Sequence, residues 1–180
     1  MATRNTKPKS LTPKQLTERA RRIRLLLLDV DGVLTDGRLF YDEQGNSMKS
    51  FHIHDGHGLV ALRKAGVLIG LISGRQSKAV ETRAGELKID IVHQGVHDKL
   101  PVYERLLSAH RLSDEQVAYV GDDLPDLPVL NRVGLAVAVA SAIPAVRRAA
   151  HWVTKNPGGA GAVREVADLL LSAASSGRAT

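Results

Sequence analysis

The chain has 180 residues, 43% hydrophobic and 24% charged, and no cysteine, which fits one globular domain and excludes disulfides, zinc–thiolate sites and cysteine nucleophiles. The formal charge of +6 is confined to one end: residues 1–24 carry +7 and the remaining 156 sum to −1. With aromatics at only 3%, few rings are left for bases to stack on, so nucleic-acid binding is a weak reading that would rest on the basic arm alone; no apolar run approaches the roughly 20 residues of a membrane span.

Residues 1–9 are polar and are expected to be disordered. Thr12 followed by Pro13 reads as the N-cap and first residue of a short basic helix ending near Arg22. The main body opens on the apolar run 23–28, stopped by Asp29, as in a buried central strand whose carboxyl end meets solvent. Segments 38–41 and 47–54 flank the turn-rich Glu43-Gln44-Gly45-Asn46, and Phe51-His52-Ile53-His54 alternates at period two, so a β-hairpin is expected there.

From Gly58 onward strands and helices alternate: helix 58–64, strand 67–72, helix 77–87, strand 89–92, helix 99–110. Strand 117–120, helix 124–131, strand 135–139, a helix opened by Pro144, strand 152–154 and helix 162–172 follow. This order predicts an α/β fold, a Rossmann-like doubly wound parallel sheet with helices on both faces, the hairpin as a flap, and chemistry at the carboxyl ends of the strands. The folded domain is bounded at 23–172, between a basic, partly disordered N-terminal arm over 1–22 and a flexible tail over 173–180. The start lacks the apolar stretch of a secretory signal, so a cytoplasmic location is expected, although an Arg-rich, acid-poor start also suits an organelle transit peptide.

The acids fall at strand ends. The first strand closes on Asp29-Val30-Asp31-Gly32, and the strand over 117–120 closes on Gly121-Asp122-Asp123 with Asp126 close behind. One such Asp would cap the following helix. Two clusters on separate strands repel and raise one another's pKa unless a cation sits between them, and with oxygen ligands alone the natural ion is Mg²⁺. His52, His54 and His57 suggest zinc only weakly, since no closed ligand pattern accompanies them. Gly158 to Gly161 lacks the Lys-Ser/Thr of a phosphate-binding P-loop and reads as a mobile segment.

Asp29-Val30-Asp31-Gly32-Val33-Leu34-Thr35-Asp36 resembles the first signature of the haloacid dehalogenase superfamily of phosphohydrolases. Ile72-Ser73-Gly74-Arg75, Lys99 and Gly121-Asp122-Asp123-Leu124-Pro125-Asp126 follow in the family's order. The resemblance implies Asp29 as the nucleophile that forms an aspartyl-phosphate and Asp31 as the acid that protonates the leaving oxygen, then the base toward water. It further implies Ser73 and Lys99 as the phosphate clamp, and Mg²⁺ held by the carboxylates of Asp29 and Asp122 and the backbone carbonyl of Asp31. Asp123 and Asp126 are left as outer residues whose order of distance from the ion stays open.

Only 44 positions separate Asp29 from Ser73 and 26 separate Ser73 from Lys99, so no cap domain fits. The capless pattern, with Phe51-His52-Ile53-His54-Asp55-Gly56, Ala118-Tyr119-Val120-Gly121 and Gly158-Gly159-Ala160-Gly161-Ala162-Val163-Arg164-Glu165, resembles the 3-deoxy-D-manno-octulosonate 8-phosphate phosphatases of lipopolysaccharide precursor synthesis. These are tetramers whose neighbouring chains complete the site, so a homotetramer acting on a small sugar-acid phosphate is implied, with Thr35, Gly74, Arg75 and Arg83 as substrate contacts. Arg75 suits a sugar acid's carboxylate because its planar fork binds two oxygens; Arg83 either reaches a neighbouring site or is a solvated helix charge. His54 and Ala160 stand where the family commonly has Arg. The alternatives are a nonulosonate 9-phosphate as substrate, or a non-catalytic regulatory copy of the fold.

Overall fold

The computed structural model describes residues 11–175; the expectations for 1–9 and for the end of the tail, 176–180, lie outside the described residues. In chain order the elements are α1 (Pro13–Arg22), β1 (Leu25–Leu28), β2 (Phe40–Tyr41), β3 (Ser47–Met48), α2 (Ile53–Lys64), β4 (Leu68–Ile72), α3 (Lys78–Leu87) and β5 (Ile91–His93). Next come α4 (Lys99–His110), β6 (Val117–Gly121), α5 (Leu127–Leu130), β7 (Leu135–Ala138), α6 (Pro144–Ala149), β8 (Trp152–Val153) and α7 (Ala162–Ser175).

Six strands form one sheet in the order β5-β4-β1-β6-β7-β8, and every neighbouring pair is parallel. β1, β6 and β7 are buried along their whole length, which is why they read as unbroken apolar runs: helices cover both faces. Each leucine of β1 contributes roughly 1.5–3 kcal/mol by leaving water. The chain lays down β1, steps outward to β4 and β5, then returns to the other side of β1 with β6. β1 is therefore where the strand order reverses, and the crevice outside the carboxyl ends of β4, β1 and β6 is where such a sheet holds its ligand.

α1 forms as its cap dictates. The Thr12 hydroxyl accepts from Gln15 N–H while the Gln15 side chain accepts from Thr12 N–H at 3.0 Å, a capping box ahead of Pro13. The described part of the basic arm is seated on the body: α1 packs on α7, Arg19 donates to the Gly134 carbonyl and Arg21 donates to that of Ala173. α7 runs past the expected end at 172 to Ser175, with Ala173 buried.

Two further expectations are corrected. The hairpin keeps only two residues per strand, and Phe51-His52-Ile53-His54 is not strand: His52 is the extended N-cap of α2, which starts at Ile53 rather than at 58. Gly56 and Gly58 weaken the helical signal there, but they let α2 lie close to Arg83 of α3 and to Ala167 and Arg164 of α7. Tertiary packing decides the element. The segment from Gly158 to Gly161, read as mobile, is fastened: Gly158 N–H donates to the Ser141 hydroxyl at 3.1 Å, Gly159 N–H to the Val33 carbonyl at 3.0 Å, and Lys155 and Asn156 N–H to the Glu165 carboxylate.

Candidate active site

Asp29 follows the last residue of β1. Its N–H still bonds to the Val120 carbonyl of β6 at 3.0 Å, so the sheet ladder fixes its backbone while its carboxylate enters the crevice. The loop then turns sharply. Gly32 has φ +93°, and a Cβ there would lie 2.1 Å from Asp122 Oδ2, so only glycine lets the loop close over that carboxylate. The Thr35 hydroxyl accepts from Gly32 N–H at 3.3 Å and Gly37 N–H at 3.2 Å. Thr35, expected as a substrate contact, is buried and braces the loop that carries the acids.

Lys99 opens α4, with Asp98 as its cap. Its side chain is only 3% exposed, and its ammonium donates to Asp29 Oδ1 at 2.6 Å, Asp126 Oδ1 at 2.7 Å and the Tyr119 hydroxyl at 3.2 Å. All three N–H donors are therefore used. Burial works against the charge, but the neighbouring Asp29 and Asp126 carboxylates outweigh it and hold the Lys99 pKa above the usual lysine value. Asp126 is equally committed. Its Oδ1 also accepts from Tyr119 at 2.7 Å, and its Oδ2 accepts from Asp122 N–H at 2.8 Å and Asp123 N–H at 3.1 Å.

One carboxylate oxygen from each of Asp29, Asp122 and Asp126 lies within 4.8 Å of the others. Asp122 Oδ1 is buried and has no hydrogen-bond partner. Burial, with the nearby charges of Asp29, Asp126 and Asp123, pushes the Asp122 carboxyl up to about 8, and burial pushes Asp29 up to about 6 against the opposing pull of Lys99. A buried, unpaired, electron-rich oxygen beside a second carboxylate suits a small hard cation. Asp29 and Asp122 have oxygens to give it. Of the two acids whose order the sequence left open, Asp126 is in this cluster but its oxygens are taken up holding the Asp122 and Asp123 backbone and Lys99; Asp123 is exposed and accepts from Leu124 N–H.

These groups floor an open recess of about 220 Å³, with Asp31 at its rim and Gly74 and Arg75 on one wall. Ser73, buried beneath at the end of β4, accepts from Arg75 N–H at 3.2 Å and so shapes that wall. Arg83 is elsewhere: it pairs with Glu86 at 2.9 Å and stacks over Phe51. His54 and Ala160 are exposed, near the first turns of α2 and α7; those ends are tied together by Asp55, which accepts from Arg164 N–H at 2.7 Å. Two contacts escaped the sequence reading, those of Asp55 with Arg164 N–H and of Lys49 with Asp31. Lys49, just after β3, donates to Asp31 Oδ1; nothing in its local pattern marks it, because the contact joins residues 18 apart.

A parallel sheet that presents a carboxylate at its central strand end, a lysine clamped on that carboxylate and a cation-hungry acid from the next strand defines a haloacid dehalogenase-like hydrolase. The family model for haloacid dehalogenase-like hydrolases matches residues 77–166. The chain is 48% identical over 156 residues to the 3-deoxy-D-manno-octulosonate 8-phosphate phosphatase of Yersinia pestis, covering 87% of this chain and 83% of that protein. The crystal structure of that phosphatase from Yersinia pestis superposes with a TM-score of 0.88 at 45% identity, covering 92% of this chain and 89% of that one. The phosphatase of Moraxella catarrhalis, crystallised with magnesium, phosphate and the sugar acid KDO, superposes with a TM-score of 0.89 at 37% identity over 93% and 97% of the two chains. The chain belongs to the 3-deoxy-D-manno-octulosonate 8-phosphate phosphatase family.

Proposed function

We propose that this protein is a Mg²⁺-dependent phosphatase that hydrolyses 3-deoxy-D-manno-octulosonate 8-phosphate to the free sugar acid and phosphate. The observation that carries the reading is the buried Lys99 shared between Asp29 and Asp126, beside the unpartnered Oδ1 of Asp122. Lys99 occupies Asp29 Oδ1 and favours the ionised carboxylate against the opposing effect of burial, so Oδ2 is the oxygen presented to phosphorus. Attack forms the Asp29 O–P bond as the P–O bond to the sugar breaks, and Asp31 gives its proton to the departing sugar oxygen. Asp31 then takes a proton from water; the water oxygen bonds to phosphorus, the Asp29–phosphorus bond breaks, and phosphate leaves. Ser73 and the Gly74-Arg75 wall, with Lys99, hold the phosphoryl oxygens, and Arg75, which lines the recess, pairs with the sugar's carboxylate. Asp29, Asp122 and the Asp31 carbonyl would hold Mg²⁺, which when bound would neutralise charge on the phosphoryl group.

A recess of about 220 Å³ is smaller than the roughly 300–1,000 Å³ of a pocket that encloses an organic ligand. It accommodates the phosphate and leaves the sugar uncovered. We infer that a neighbouring copy of the chain covers it, in a homotetramer, and that Arg83 acts there. The exposed apolar residues of the hairpin, Leu39, Phe40, Tyr41 and Met48, support such a contact. A cytoplasmic location agrees with the absence of cysteine; no helix among the described residues is long and apolar enough to cross a membrane. The test is steady-state phosphate release from the octulosonate 8-phosphate, a nonulosonate 9-phosphate and a nucleoside monophosphate. The first is expected to give the highest kcat/KM, with EDTA abolishing turnover; preference for the nucleotide would reject the reading.

A further inference from the structure

Lys49 has no assigned part in the reaction, yet it is the most deeply placed cation of the hairpin. Its side chain is 4% exposed although Ser47 and Met48 before it and Ser50 after it are exposed. The ammonium is turned inward onto Asp31 Oδ1. Burying an ammonium against a single carboxylate carries a desolvation cost that an idle surface pair would avoid by remaining in water, so the contact calls for a reason at Asp31. Asp31 lies at the rim of the recess, and the loop that braces its backbone makes no hydrogen bond to its carboxylate that would fix the side chain.

We propose that Lys49 is a positioning residue for the leaving-group step: by holding Asp31 Oδ1, it aims Oδ2 at the oxygen that departs from phosphorus. This rests on the phosphatase reading above. In the step concerned, the P–O bond to the alcohol breaks, the electron pair goes to the alcohol oxygen, and the proton on Asp31 Oδ2 moves to that oxygen; Lys49 exchanges no proton. Because Lys49 is carried by the hairpin, which also exposes Leu39, Phe40, Tyr41 and Met48, the same bond ties the set of the flap to the aim of the acid. An acid misplaced by an ångström loses much of its effect, and positioned proton transfer is worth about 10²–10⁴ in rate.

The kinetic signature is a dependence on leaving group. kcat/KM reports steps through the formation of the phosphoenzyme, where an alkyl phosphate needs a proton on its leaving oxygen and p-nitrophenyl phosphate does not. In the full chain with Mg²⁺, Lys49→Met is expected to lower kcat/KM for the octulosonate 8-phosphate by about 10–100-fold and for p-nitrophenyl phosphate by less than about threefold. Lys49→Arg is expected to recover most of the loss, and Lys49→Met is expected to add nothing in an Asp31→Asn background. Should Lys49→Met fail to fold by circular dichroism and thermal melting, Lys49→Ala, which also removes the donor, is read by the same leaving-group ratio. Equal losses with both esters, full activity in Lys49→Met, or an additive loss in the Asp31→Asn background would each overturn the proposal. Wild-type protein that hydrolyses neither ester would reject the phosphatase reading itself, a result distinct from any of these.

Discussion

Lys99 and Asp122 set opposite electrostatic conditions within a few ångströms. Lys99 is satisfied: three donors meet three acceptors, and its charge stabilises Asp29 as a nucleophile without competing for Oδ2. Asp122 is unsatisfied, with a buried oxygen that has no donor. The carboxyls of Asp122 and Asp29 stand at about 8 and about 6, above the usual aspartate value, so without a cation the folded state retains protons that the unfolded chain releases above about pH 4. The contribution of these two groups to stability is therefore full below about pH 4 and is lost as pH rises toward 8. Chelator-treated protein is expected to melt at lower temperature at pH 8 than at pH 5. Mg²⁺ is expected to raise the midpoint more at pH 8 and to release protons on binding, seen by calorimetry in buffers of different ionisation enthalpy. Asp122→Asn should flatten this dependence, and a Mg²⁺ shift equal at both pH values would contradict it. The acids Asp29 and Asp122 were legible in the sequence because each ends an apolar run. The commitment of Asp126 was not, since it depends on Tyr119 and on two backbone N–H groups that only the fold brings to it.

The loop after β1 is held from both sides, and one of those sides is the Gly158-Gly159 turn. A Cβ at Gly158 would lie 1.7 Å from the Gly32 carbonyl oxygen and 3.1 Å from that of Thr35, so the turn and the loop are a single packed unit. Gly158→Ala is expected to cost about 1–3 kcal/mol, as overpacking does, in urea denaturation, and to lower kcat because the displaced loop carries Asp31. Unchanged stability would mean that the two segments are not in register. Asp55 does similar work at the head of α7, where its carboxylate takes the place of a local cap on Arg164 N–H. Asp55→Ala is expected to cost about 0.5–2 kcal/mol in the same measurement, and a loss within error would remove it as the cap of α7. Elements with strong local signals, such as α1 with its capping box, α4 from Lys99 to His110 and the buried strands, match their sequence reading closely. The start of α2 does not, because alternation over 51–54 imitates a strand and two glycines mask a helix that α7 and α3 stabilise.

Taken whole, the chain divides its charge as the sequence indicated: basic residues precede β1, and acids gather at one edge of a nearly neutral body. The described half of the basic arm is nevertheless part of the packed structure, attached through Arg19 and Arg21, a tertiary fact that composition does not contain. The hairpin strands are exposed along their whole length, with Phe40, Tyr41 and Met48 open to solvent and Lys49 just beyond them turned onto Asp31. If neighbouring copies cover it, Phe40→Asp is expected to shift the protein toward monomer in sedimentation velocity and to reduce turnover of the sugar-acid phosphate more than that of p-nitrophenyl phosphate; an unchanged sedimentation coefficient would argue against the hairpin as the contact. All of these expectations depend on Asp29 taking the phosphoryl group. Acid quench during turnover of ³²P-labelled octulosonate 8-phosphate, followed by peptide mapping, tests this most directly. Hydroxylamine-labile label is expected on the peptide containing Asp29 and none in Asp29→Asn; turnover without covalent label, or label on another residue, would contradict it.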